Sequence, residues 1–181
     1  MKIEQTLLSG CFVITPKTFE DSRGVFSETF NSKTFEEVTG ISQDFVQDNQ
    51  SISRYGVVRG LHFQRGSLAQ AKLVRVVKGR VQDIVVDVRE GSETFGKSFS
   101  IELSAANGKQ LYVPRGFAHG FSVLEEGSIF AYKCDNFYDK ESESGIIFND
   151  SDLNLDWRLP KNDMIISEKD LELPLFKNAL L

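Results

Sequence analysis

Short runs in which apolar and polar residues alternate, each broken by Gly, Pro, Asn or a cluster of charges, follow one another along almost the whole chain. Alternation with a period of two marks a strand with one buried face. KSFSIELS (97–104) is the cleanest instance, with Phe99, Ile101 and Leu103 pointing one way and Ser98, Ser100 and Glu102 the other. CFVIT (11–15), GVFSETF (24–30), DFVQDNQSIS (44–53), VQDIVVDVRE (81–90) and SIFAYKCDNFY (128–138) also read as strands. In QLYVPRGFAHGFSVL (110–124), Pro114 and Gly116 break the run, and His119 falls on a second short strand between Gly116 and Gly120. Helical signals are few. Asn31 or Ser32 can cap SKTFEEV, which ends at Gly40, and Ser167, three residues before Asp170, caps a short helix in ISEKDLELPLF. The pattern predicts an all-β fold, an antiparallel sandwich or barrel with short peripheral helices.

The stretch from Tyr55 to Gly79 departs from the simple pattern, because it sets Arg59, His62 and Lys72 among Val, Leu and Phe. A buried cation or imidazole costs several kcal/mol unless it has a partner or a task. Residues 57–63 and 72–77 read as two strands that pair with each other, split by a turn at Arg65, Gly66 and Ser67. Alternation places Lys72, Val74 and Val76 on one face and Leu73, Arg75 and Val77 on the other. Arg59 and His62 are three apart and fall on opposite faces of a regular strand. A bulge at Gly60 would re-aim them to one side.

Other polar residues sit in apolar company. Phe26, Glu28 and Phe30 share a face of one predicted strand, and Gln47 and Asn49 share a side of another, where amides can read a ligand's hydrogen-bonding edge. Asp83 lies on a face with Val81 and Val85, and needs a donor such as a histidine or lysine on a neighbouring strand. Phe130, Tyr132 and Cys134 form one face of the 128–138 strand. Residues 139–157 are acidic and turn-rich, and no repeat or linker divides the chain, so 1–181 is read as a single domain.

The 181 residues are enough for one domain with a full core, and 15 Phe with a 40% hydrophobic fraction exclude disorder. No apolar run approaches the roughly 18 residues of a membrane helix. The net charge of −5 argues against a binder dominated by nucleic-acid phosphates. LSGC (8–11) resembles the end of a lipoprotein signal, but Glu4, Gln5 and Thr6 interrupt the apolar region such a signal needs, so no signal peptide is expected. Two cysteines, Cys11 and Cys134, without a Cys-x-x-Cys pattern, fit a reducing cytoplasm.

Collected together, Arg59, His62, Lys72, Asp83, His119 and Tyr132 include a base of near-neutral type, cations, a carboxylate able to orient an imidazole and a phenol acid. Such a set suits proton abstraction beside a carbonyl, with the lysine stabilising the enolate and an acid returning the proton. A nucleophile elbow and a Gly-rich phosphate loop are both absent. With two histidines in all, a three-histidine metal site cannot be built from one subunit, so no metal is expected.

RGLHFQ (59–64), Lys72, VPRGFAHGF (113–121), AYKCDNFY (131–138) and SEKD (167–170) carry a resemblance to the bacterial dTDP-4-dehydrorhamnose 3,5-epimerases, in the same order and spacing from about Gly10 to Asp170. The resemblance implies a cupin-type jelly-roll barrel, without metal or cofactor, working as a cytoplasmic homodimer on a dTDP-sugar. It makes His62 the general base, Asp170 its orienting carboxylate, Lys72 the enolate stabiliser and Tyr132 the acid on the opposite face. Arg23, Glu28, Gln47, Asn49, Arg59, His119, Glu143 and Lys169 would bind the nucleotide-sugar, Tyr138 would stack on thymine, and Asp83 would support His119. Phe26 would be offered across the dimer by an exchanged N-terminal segment. Relatives that epimerise a single carbon, a non-catalytic sugar-nucleotide binder and a metal cupin assembled across a dimer are the alternative readings.

Overall fold

The computed structural model describes residues 1–179. Among them, two antiparallel sheets face each other as a cupin-type jelly roll. One has six strands in the order β1 (Lys2–Gln5), β2 (Phe12–Thr15), β10 (Gln110–Val113), β7 (Lys72–Lys78), β12 (Ser128–Cys134), β5 (Gln47–Ser53). The other has five: β13 (Glu143–Gly145), β6 (Val58–Gln64), β11 (Phe117–Val123), β8 (Arg80–Asp87) and β9 (Ser98–Ser104). A separate hairpin joins β3 (Thr18–Asp21) to β4 (Gly24–Ser27).

The inward faces of both sheets meet in one apolar cluster, with Val74, Val76, Leu111 and Phe130 from the six-stranded side against Val81, Val85, Leu103 and Phe121 from the five-stranded side. The outer face of the five-stranded sheet is also covered: Leu61, Ile84, Val86 and Ala118 pack beneath Trp157 and the C-terminal segment through Ala179. This second cover explains why β8 and β11 are buried almost throughout. On the outer face of the six-stranded sheet, α1 (Ser32–Thr39) drives Phe35 against the Tyr112 ring, 5.3 Å between centroids. Eight residues are too few for a stable isolated helix, so α1 depends on that packing and on its ends. Asn31 Oδ1 accepts the Thr34 amide at 3.2 Å, and Gly40 closes the helix at φ +71°.

Three sequence expectations change. The 57–63 and 72–77 runs are strands but do not pair: β6 lies between β11 and β13, and β7 lies between β10 and β12 in the opposite sheet. The chain crosses between sheets through a short turn at Gly66–Leu68: β7 turns Val74 and Val76 toward the five-stranded sheet, whereas β6 buries Val58, Leu61 and Phe63 beneath Trp157 on the outer face and presents Arg59 and His62 to the cavity. The 24–30 strand stops at Ser27, since Phe30 turns away to pack on Phe35 and Phe45 at 5.9 and 5.1 Å. Glu28 lies beyond the strand end and accepts a hydrogen bond from Asn31. Gly120 does not end its strand, for β11 runs on to Val123; a Cβ there would meet the Arg59 carbonyl oxygen at 2.7 Å, so glycine permits β6 to approach.

Candidate active site

A cavity of about 670 Å³ opens between the sheets. Its six-stranded wall carries Asn49 and Ser51 of β5, Lys72 of β7, and Phe130 and Tyr132 of β12. Pairing sets these in rows: Tyr132 is opposite Asn49 and Phe130 opposite Ser51, while Cys134 is opposite Lys72. The facing wall carries Arg59 and His62 of β6 and His119 and Phe121 of β11. The rim includes Lys169 and Asp170, from α2 (Glu168–Leu171).

The expected irregularity at Gly60 is present. His119 pairs with His62, but Phe121 pairs with Arg59, so β6 spends one more residue than β11 over the same span. That extra residue brings Arg59 and His62 to the same cavity. Gly60 has φ +98°, and a Cβ there would lie 2.6 Å from the His119 carbonyl oxygen.

His62 Nε2 and Asp170 Oδ1 are 2.9 Å apart, and Asp170 Oδ2 accepts the Gly60 amide at 3.1 Å. Asp170 is delivered by a segment anchored to β6, where the Val58 amide donates to the Ile165 carbonyl at 3.0 Å and Ser167 Oγ caps α2 by accepting the Asp170 amide. Burial pushes the Asp170 carboxyl up, but the hydrogen bonds from His62 and Gly60 outweigh it and hold the group below the usual carboxylate range. An anionic Asp170 fixes the proton on His62 Nε2 and leaves Nδ1 as the lone-pair nitrogen.

Burial pulls the Lys72 ammonium below its ordinary value, opposed by Cys134, Asp83 and Glu143. Its Nζ lies 5.9 Å from the Tyr132 ring centroid. Burial also raises the Tyr132 phenol, so it stays protonated at neutral pH. The second histidine, His119, holds Asp83 at 2.9 and 3.1 Å from its Nε2, and Asp83 is wholly buried. Burial raises the Asp83 carboxyl, with His119 opposing. Asp83 thus has the neighbouring-strand donor its position demanded.

Near the cavity, Tyr138 OH donates to Glu143 Oε2 at 2.9 Å and Lys169 Nζ donates to the same oxygen at 2.6 Å. Gln47 Oε1 accepts the Tyr138 amide, Gln47 Nε2 donates to Asn49 Oδ1, and Asn49 Nδ2 reaches Cys134 Sγ at 3.7 Å. Arg59 Nη2 touches Ser53 Oγ at 3.4 Å. Arg23, Phe26 and Glu28 are not brought to the cavity within this chain. Arg23 pairs with Asp21 at 2.6 Å, and Phe26 is 69% exposed on the hairpin.

The family model for dTDP-4-dehydrorhamnose 3,5-epimerase matches residues 5–178. The chain belongs to that family. It is 46% identical over 179 residues to the Shigella flexneri dTDP-4-dehydrorhamnose 3,5-epimerase, covering 99% of this chain and 98% of that one. The crystal structure of the dTDP-4-dehydrorhamnose 3,5-epimerase from Elizabethkingia anophelis is similar at a TM-score of 0.95 and 60% identity, covering 98% of this chain and 97% of that one. A Legionella pneumophila dTDP-6-deoxy-D-glucose-3,5-epimerase, solved in complex with dTDP-4-keto-L-rhamnose, matches at a TM-score of 0.94 and 44% identity, covering 98% and 93%.

Within this epimerase-family cavity, sequence reasoning missed Ser51, Phe121 and the Gly60 amide. Phe121 and Phe130 come from opposite sheets and stack 4.1 Å apart at 18°, joining the two walls. Ser51 continues the inward row of Gln47 and Asn49, so the same period of two pointed to it.

Proposed function

We propose that this chain is a 3,5-epimerase converting dTDP-4-dehydro-6-deoxy-D-glucose to dTDP-4-dehydro-L-rhamnose, in the route to dTDP-L-rhamnose. One observation carries the reading: His62 and Tyr132 face a single cavity from opposed sheets, with Lys72 beside Tyr132.

The carbon 4 ketone acidifies the hydrogens on carbons 3 and 5. His62 Nδ1 takes one of these protons while its Nε2–H remains on Asp170, whose negative charge stabilises the imidazolium. The electron pair moves to the carbonyl oxygen, and the Lys72 ammonium offsets the charge that develops there. Tyr132 then donates its proton to the opposite face of the carbon, which inverts the centre and leaves a phenolate. Solvent returns His62 and Tyr132 to their starting states. Repetition at the second carbon completes the double epimerisation. Substrate and product are isomers, so no electrons are exchanged and the steps require no cofactor.

Tyr138 would stack on thymine, with Gln47, Asn49, Glu143 and Lys169 around the nucleoside and Arg59 at the diphosphate, a bidentate partner for its oxygens. His119, held by Asp83, would contact the sugar. Arg23, Phe26 and Glu28 would act across a homodimer through an exchanged hairpin, in a cytoplasmic enzyme. The exposed Phe19, Val25 and Phe26 of that hairpin support the exchange. Light scattering that gave a monomer at catalytic concentrations would remove these three from the site.

The deciding experiment is incubation with the 4-keto-6-deoxyglucose nucleotide in heavy water, followed by mass spectrometry of the sugar. Deuterium at carbons 3 and 5 is expected. Label at one carbon would make the chain a single-site epimerase, and no label would leave a binding module.

A further inference from the structure

Among the described residues, two buried side-chain polar atoms have no hydrogen-bond partner: Ser51 Oγ and Gln110 Oε1. The Gln110 amide is already held through its nitrogen, which donates to the Thr29 carbonyl at 2.8 Å. Ser51 has no such compensation. Its neighbours in the inward row of β5 are all engaged: Gln47 with Asn49 and the Tyr138 amide, Asn49 with Cys134, and Ser53 with Arg59. A hydroxyl withdrawn from water without a partner is costly, and one such group in a native site calls for an explanation.

The position of Ser51 supplies one. It lines the same cavity as His62, Lys72 and Tyr132. Along β5, Gln47 touches Tyr138 at the open end, Asn49 is opposite Tyr132, and Ser51 is opposite Phe130, two residues further in. Phe130 stacks on Phe121 and lies 6.0 Å from the His119 ring. Ser51 therefore sits beyond the nucleoside end, one step past Tyr132 and level with the aromatic floor, where a hexose reaching Tyr132 would lie.

We propose that Ser51 Oγ is a substrate-binding group that hydrogen-bonds a ring hydroxyl of the hexose, a partner that no other group of the protein supplies. The inference rests on the epimerase reading above. It makes two effects of Ser51→Ala run in opposite directions. Deleting an unsatisfied buried hydroxyl leaves the free protein as stable or more stable. The same deletion removes one hydrogen bond to the sugar, a loss of about three- to tenfold in kcat/KM for the sugar nucleotide. Ser51→Thr retains the hydroxyl and is well suited to a strand.

The test measures, for wild type, Ser51→Ala and Ser51→Thr, the melting temperature, kcat and KM for the 4-keto-6-deoxyglucose nucleotide, and inhibition by dTDP, which lacks the hexose. Expected are an unchanged or raised melting temperature for Ser51→Ala, a loss in kcat/KM that Ser51→Thr restores at least in part, and unchanged inhibition by dTDP. Equal weakening toward dTDP, a lowered melting temperature or unchanged kcat/KM would each overturn the assignment. Wild-type protein that bound dTDP but turned over no sugar nucleotide would instead overturn the epimerase reading itself.

Discussion

Asp170→Asn removes one charge and almost no volume, and it isolates what the carboxylate does. Asp170 receives two hydrogen bonds, from the Gly60 amide at 3.1 Å and from His62 at 2.9 Å. The Gly60 N–H can only donate, so an asparagine must turn its carbonyl oxygen toward Gly60 and its NH₂ toward His62. His62 Nε2 must then accept, which puts the imidazole proton on Nδ1 and removes the lone pair from the nitrogen proposed as the base. The substitution reverses the tautomer and deletes the charge that steadies the imidazolium. Together these lower kcat on the order of 10³–10⁴-fold, the size of effect seen when an orienting aspartate is amidated in a serine protease triad. Proton NMR of the sugar gives kcat, deuterium uptake gives abstraction, and dTDP inhibition reports binding, which should hold within about threefold. A variant that kept kcat within about tenfold of wild type would refute the tautomer argument. Acid titration gives a second readout. The Asp170 pKa is depressed in the fold, so its contribution to stability is present above the unfolded value of about 3.9 and is lost as pH falls through the lower folded value. Urea unfolding at descending pH should show that loss in wild type and not in Asp170→Asn.

Tyr132→Phe keeps the ring on its neighbours and deletes the acid, so deuterium exchange should persist while inverted product falls about 10²–10³-fold; parallel loss of both would contradict a role confined to reprotonation. Lys72→Met should lower kcat by about 10²–10³-fold yet raise the melting temperature. The Lys72 pKa is lowered by burial, so its charged form is disfavoured in the fold, and wild-type stability should rise as pH climbs from the folded toward the unfolded value, a slope the methionine variant lacks. Gly60→Ala should destabilise by at least about 1–3 kcal/mol in urea, because alanine disfavours φ +98° and its Cβ would meet the His119 carbonyl oxygen at 2.6 Å. An alanine variant as stable as wild type would show that the backbone there yields easily.

The period-two pattern revealed the β architecture and the facing of most strands, since alternation is local and the central strands of both sheets bury at least one side, unlike the exposed β3–β4 hairpin. It found Lys72, Val74 and Val76 on one face, which lines the interior, and Gln47 with Asn49 on another, of which Asn49 lines the cavity and Gln47 hydrogen-bonds it. It failed where tertiary contacts override local order. Residues adjacent in sequence suggested that β6 and β7 pair, a reasonable prior for consecutive strands, but a jelly roll distributes them between sheets. The three-residue β13 was invisible in an acidic segment too short to alternate, although it carries Glu143 and extends the sheet beside β6. Ser167 was legible as a cap for Asp170, whereas contact between Asp170 and His62 spans 108 positions and came only through the family resemblance.

That division has a consequence for stereochemistry. Which residue types are present is written locally, but inversion at carbon requires base and acid on opposite sides of one substrate plane, and no single strand can provide that. His62 and Tyr132 belong to sheets that share no ladder, so no run of backbone hydrogen bonds fixes their separation. What joins the walls near them is the Phe121–Phe130 stack and the cluster around it, in which each ring lies two positions along the strand from His119 or Tyr132. On the proposed mechanism, the gap between base and acid is thus set by core packing, and a displacement of about 1 Å there is enough to change rate substantially. Residues that never touch a reacting atom can therefore decide whether a proton removed by His62 is replaced on the opposite face or returned to the same one.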